Sequence, residues 1–220
     1  MTGIDLAGID EKTSAIHAIG NIYLNCPGVM GPYLERIIKD FDQIGQYVHE
    51  NVRYHVCLSF TQIAFGLLRL SLNKQETDEK MEWQAGLPVQ DTLPEPVRHF
   101  LDAVIFPHFS NLITTEQNKE VIEKVLECIR DIAEDMGPAG IFNHIDMIME
   151  ACEELLDKEA MCQFKENKGQ MVDGQANPEE SSEDVDSDED LDHDELILGC
   201  VTDLLIATAK AFKDGFLPYL

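Results

Sequence analysis

The chain predicts an all-α fold, a solenoid of stacked antiparallel helix pairs, on two independent observations. The first is one apolar stripe repeated in one register. Ile16, Ile19, Ile22 and Tyr23 fall at i, i+3, i+6 and i+7, the spacing of a helix face. The same positions return as Cys57, Phe60, Ile63 and Ala64, and then as Leu126, Ile129, Ile132 and Ala133. They appear once more, weakened by threonines, as Thr202, Leu205, Thr208 and Ala209. Successive offsets are 41, 69 and 76, a total of 186. The second observation is Pro32-Tyr33-Leu34, which recurs 186 residues later as Pro218-Tyr219-Leu220. Two unrelated markers at one offset indicate a duplicated unit, and roughly 41 residues is the length of a two-helix repeat. Each repeat of such an array touches only its neighbours, so its function lies on its surfaces rather than in a buried pocket.

Taken in order, the first helix is expected from Asp10, a good N-cap, to Asn25, where Cys26-Pro27-Gly28 stops it. A second starts near Pro32, whose fixed φ suits a first turn, and turns Tyr33, Leu34, Ile37, Ile38, Phe41 and Ile44 to one side. The turn at Val48-His49-Glu50 leads into a long helix over Asn51–Leu72. Residues 73–92 lose periodicity around Gly86 and Pro88 and read as a loop. The next helix starts at Pro94 or Pro96 and runs to Ile113, with a kink expected at Pro107. Two more follow, Asn118–Met136 and Ala139–Lys158, split by Gly137-Pro138. Repeats therefore fill 1–162, an acidic disordered insertion occupies 163–194, and 195–220 resumes the array. The last helix is Glu195–Phe212, and another begins at Asp214. The chain stops with that element's apolar face unmatched, as a fragment of a longer array would.

Charge narrows the partners. Sixteen basic residues against 42 acidic ones give a formal net charge of −26, which repels nucleic acid and anionic membrane and attracts basic proteins. No apolar run approaches the roughly 20 residues of a membrane span, and no signal-peptide pattern opens the chain. The six cysteines lack CxxC spacing and read as reduced core thiols. A soluble intracellular monomer is expected.

Pro32-Tyr33-Leu34 opening an outer helix, followed by a turn to Val52-Arg53 opening an inner one, resembles a HEAT repeat. The stretch Asp10–Gly66 is similar to the middle of importin-beta superfamily receptors, and within them to the importin four type of nuclear import receptor. The resemblance covers nearly the whole chain, which would be about a fifth of a complete receptor. It implies a HEAT solenoid with a right-handed superhelix. It also implies basic cargo such as histones or ribosomal proteins, Ran GTPase, Phe-Gly nucleoporins, and shuttling between cytoplasm and nucleus. The Val-Arg pair departs elsewhere to Glu11-Lys12, Val121-Ile122 and Ile197-Leu198, so no continuous arginine ladder is expected. The terminal repeats that carry such a receptor's main GTPase contact are largely missing.

Eleven carboxylates between Glu179 and Glu195 carry no basic residue among them. As a flexible polyanion on the hollow side, Asp184, Asp186, Asp188, Glu189, Asp190, Asp192 and Asp194 would capture basic cargo; the bland alternative is a solvated linker. Glu120, Glu127, Asp131 and Glu134 decorate one inner helix and are candidates for the same role. Ser181 and Ser187 lie in acidic contexts suited to phosphorylation. Asp184, Asp186, Asp188 and Glu195 match positions 1, 3, 5 and 12 of an EF-hand, but Glu189 stands where glycine is needed. Histidines 17, 49, 55, 99, 108, 144 and 193 show no metal spacing, and no nucleotide loop or catalytic elbow occurs. No enzyme activity, cofactor or metal is expected. The rival readings are a HEAT scaffold and an acidic histone chaperone.

Overall fold

A computed structural model describes residues 6–72, 82–163 and 186–219, without the side chains of 6–7 and 186–193. Among the described residues seven principal helices form two layers, and the fold is an all-α solenoid of HEAT-type pairs. The inner layer holds α1 (Leu6–Asn25), α3 (Glu50–Ser71), α5 (Lys119–Met136) and α7 (Asp186–Phe212), each packed beside the next. The outer layer holds α2 (Leu34–Ile44) over α3, α4 (residues 95–115) between α3 and α5, and α6 (Ile145–Leu156) over α7. Among the described residues no strand occurs.

The register read from the repeat explains the burial. Cys57, Phe60, Ile63 and Ala64 of α3 and Leu126, Ile129, Ile132 and Ala133 of α5 are all buried. In α1 and α7 the equivalent positions divide. Ile16 and Tyr23 are buried while Ile22 is 48% exposed; Thr208 is buried while Thr202 is exposed. Each exposed position lies on the side that in α3 or α5 meets an inner or outer neighbour. Between the layers Phe60 packs edge-on to Phe41 and Phe100 at 5.6 and 6.0 Å. The α1–α3 contact is especially close, because Gly66 offers no Cβ, and one would lie 2.6 Å from the Tyr23 carbonyl oxygen. Ser59 Oγ donates to the Ile16 carbonyl at 3.0 Å across the same contact.

The repeat turns rest on caps. His49 Nδ1 accepts from the Asn51 amide at the start of α3, and Asn118 Oδ1 accepts from the Val121 amide at the start of α5. Between them lies the Arg53 clamp. Its guanidinium donates to both oxygens of Glu116 at 2.5 and 2.8 Å, and to the carbonyls of Tyr47 and Val48 at 2.7 and 2.8 Å. Glu116, 6% exposed, also accepts from the amides of Gln117 and Asn118. The Arg of the HEAT-like pair thus ties one repeat's turn to the next, and Ile122, buried at the equivalent place in α5, packs instead.

Several boundaries move. The first helix includes Leu6 and does not wait for Asp10, since buried Ile9 extends its stripe by two turns. The kink expected at Pro107 is a π turn, Leu101–Ile105, between Glu95–Phe100 and Phe106–Thr115; the three together are α4. The Phe106 amide donates to the Leu101 carbonyl, a longer loop that absorbs the hydrogen bond proline cannot make. The helix expected over Ala139–Lys158 is broken into Pro138–Ile141, a 3-10 turn Phe142–His144, and α6. The expected start at Asp214 is a 3-10 stretch, Lys213–Tyr219. The last inner helix begins at Asp186, nine residues before the predicted Glu195, inside the stretch read as disordered. Carboxylates in first turns face the positive end of the helix dipole, so an acidic run does not prevent helix formation there.

Candidate functional site

The offsets that align the core also align the open face of the inner layer. On α3 this face carries Asn51, Tyr54, His55, Leu58, Gln62 and Phe65, none of them fully buried. On α5 the equivalent positions are Glu120, Glu123, Lys124, Glu127, Asp131 and Glu134, again none buried. On α1 they include His17 and Asn21, and on α7 Leu196, Asp203 and Lys210. The register is visible in cross-helix contacts: Gln62 Nε2 donates to Asn21 Oδ1 at 2.9 Å, and the His17 and His55 rings meet edge-on at 5.8 Å. The open face is therefore aromatic and amide-bearing on α3, and acidic on α5.

The structure brings Glu120, Glu127, Asp131 and Glu134 onto one stripe, as their spacing requires, but it does not leave all four free. Lys124 pairs with Glu127 and lies 4.8 Å over the Tyr54 ring. Burial acts to lower the Lys124 pKa, yet bonds to Glu127 and Tyr54 outweigh it and hold the ammonium above its ordinary value. Arg130 Nη2 lies 2.9 Å from Asp131 Oδ1, and Arg130 Nη1 lies 3.9 Å from Asp203 of α7. Partial burial raises the Asp131 carboxyl despite that arginine. Glu120 and Glu134 are exposed. Sequence spacing missed Lys124 and Arg130 because their partners follow them by three residues and one, and the face is shared with Tyr54 of another helix.

Of the acidic tract, Asp194 is placed: its Oδ1 lies 2.9 Å from Lys119 Nζ, at the first residue of α5. The side chains of Asp186, Ser187, Asp188, Glu189, Asp190 and Asp192 lie outside the described residues, as do Ser181 and Asp184 entirely. The backbone from Asp186 to Glu195 is helical, which is not the loop an EF-hand requires.

Two grooves open elsewhere. One of about 460 Å³ runs between the outer helices α2 and α4, walled by Ile38, Val104 and Pro107 above Phe60. His108 lines it, its Nε2 3.9 Å from Cys57 Sγ and its ring 5.3 Å from that of Phe60. Burial drives the His108 pKa down to about 4, with Asp42 opposing only weakly. The other groove, about 790 Å³, lies at the repeat turns over the Arg53–Glu116 pair. Burial pushes the thiols of Cys128 and Cys152 up to about 12 and that of Cys162 to about 11, so these are packing groups and not nucleophiles. Among the described residues no group of three or more metal-ligating side chains converges, and no helix is long and apolar enough to cross a membrane.

Fold and face together define a class: a HEAT-repeat solenoid whose inner layer offers a ridge of carboxylates. No family model matches the chain. It is similar to the probable importin subunit beta-4 of Schizosaccharomyces pombe (strain 972), at 26% identity over 216 residues. The likeness covers 97% of this chain and 19% of that protein, so the chain spans about a fifth of the relative's length. At family level the likeness points to the importin-beta group.

Proposed function

We propose that this chain is a segment of a nuclear transport receptor whose α5 ridge and acidic tract hold basic nuclear-localisation segments of cargo such as histones or ribosomal proteins. The observation that carries the reading is the stripe Glu120, Glu127, Asp131 and Glu134, in register with an α3 face that bears no carboxylate. Selection of a fold explains the shared core but not this difference between surfaces. The tract running into α7 adds negative charge, and a polyanion raises encounter rates with lysine-rich segments in a way that weakens with salt. Phosphorylation at Ser181 or Ser187 would deepen its charge. The α2–α4 groove lies on the opposite layer, and its apolar wall of Ile38, Val104 and Pro107 suits a phenylalanine side chain of a Phe-Gly repeat during pore passage. Cargo release by GTP-loaded Ran, and shuttling between cytoplasm and nucleus, complete the reading.

Pull-down of a histone-tail peptide by the full-length parent protein, with and without GTP-loaded Ran, tests it. Binding that Ran abolishes supports a receptor. Binding indifferent to Ran replaces it with an acidic histone chaperone, and absence of binding with a scaffold.

A further inference from the structure

The connection from α3 to α4 is far longer than its ends require. One residue separates Asn25 from the turn at Pro27, and one separates Met136 from Pro138, yet residues 72–94 lie between α3 and α4. The described part does not simply bridge those two helices. It lies against α5 and α7. Trp83 Nε1 donates to the Glu134 carbonyl at 3.1 Å. Its ring covers Gly137, whose φ of +62° and lack of Cβ both permit the contact. Three residues on, the Gly86 amide donates to the Ala211 carbonyl at 2.8 Å, and Leu87 packs on Gly215 in the 3-10 stretch that follows α7. The Gln84 amide donates to Asp91 Oδ2 at 2.5 Å, closing the segment on itself, and buried Leu93 returns it to the core.

Packed helices lie roughly 8–10 Å apart, so reaching from α3 past α5 to α7 takes on the order of 20 Å, or about six extended residues each way. Residues 72–94 are more than enough for that path. In a solenoid, successive repeats are joined only through their shared interface, and small rotations there accumulate into flexing of the whole array. A segment anchored on two successive inner helices, and rooted in a third, opposes that rotation.

We propose that residues 82–88 are a clip that fastens the end of α7 to the end of α5 and sets how far the α6–α7 pair swings from the α4–α5 pair. One anchor is the backbone of Glu134, so the clip also fixes the end of the acidic ridge. This holds whether or not the ridge binds cargo.

Hydrogen exchange read by mass spectrometry on the 220-residue chain tests it, with two variants. Gly86→Ala meets nothing within 4 Å of its new Cβ, so it strains only the backbone at φ +114° and removes no packing. Trp83→Ala removes the ring. Trp83 is the chain's one tryptophan, so its emission reports release directly. The clip predicts a red shift in Gly86→Ala, with exchange over 205–219 accelerated about tenfold in both variants and α1 and α2 unchanged. Acceleration confined to residues 82–92, or equal along the whole chain, overturns it, and so does a red shift that leaves 205–219 protected.

Discussion

Helices α3 and α5 are the same helix inside and different helices outside. Val52, Val56, Cys57, Phe60, Ile63 and Ala64 match Val121, Val125, Leu126, Ile129, Ile132 and Ala133 in burial, position by position. On the open face, Asn51, Leu58, Gln62 and Phe65 stand where α5 has Glu120, Glu127, Asp131 and Glu134. Burial fixes which residues a repeat tolerates, because each inward position faces a packed neighbour. The open positions face water and are free to diverge, so the divergence is where function is written.

The sharpest break between the two helices is at their N-termini. Arg53 is ionic and clamps Glu116, while its counterpart Ile122 is buried and apolar. Arg53→Ala leaves a buried carboxylate unpaired and is expected to cost about 3–5 kcal/mol in urea unfolding. Combining Arg53→Ile with Glu116→Leu, which makes the α3 turn resemble that of α5, recovers most of it. If the single and double variants unfold alike, the clamp is not what holds that turn.

A second difference is in titration. His108 packs beneath α3, against Cys57 and Phe60, with its pKa lowered to about 4 by burial. A histidine whose folded pKa lies below its unfolded value opposes protonation, so its contribution is present above about pH 6.5. It is lost as pH falls toward 4, by up to about 3 kcal/mol. The buried Cys128 of α5, on the far side of Cys57, is a thiol pushed up to about 12 and does not titrate in this window. Thermal unfolding followed between pH 7 and 4 is expected to lose stability in the wild type and less steeply in His108→Phe.

The smallest effect concerns the neighbouring α1–α3 contact. Tyr23 is fully buried, and its hydroxyl has no hydrogen-bond partner among the described residues. Tyr23→Phe removes an unsatisfied polar atom while keeping the ring, so stability is expected to stay level or rise by up to about 1 kcal/mol. A clear loss would reveal a partner for that hydroxyl.

Much of this architecture is legible in the residues. The apolar stripe at offsets 41 and 69 places three inner helices because buried faces leave a periodic trace. Val52-Arg53 marks the clamp, but its acceptor Glu116 is 63 residues away with no local signal. The ridge on α5 follows from helical spacing alone. Its partial neutralisation by Lys124 and Arg130 does not, since rotamers and the Tyr54 ring decide it. The start of α7 at Asp186 was hidden because charge density reads as disorder unless a helix end and a lysine such as Lys119 receive it. The docking of Trp83 and Gly86 on α5 and α7 leaves no periodic trace at all.

The account rests on the α5 ridge binding basic segments, and one titration tests that most directly. A labelled lysine-rich peptide is titrated by anisotropy, at low and high salt, into the wild type and a variant carrying Glu120→Gln, Glu127→Gln, Asp131→Asn and Glu134→Gln. The ridge predicts affinity at low salt reduced about tenfold or more and a flatter salt dependence. Equal affinity for the two proteins across both salt conditions would contradict it.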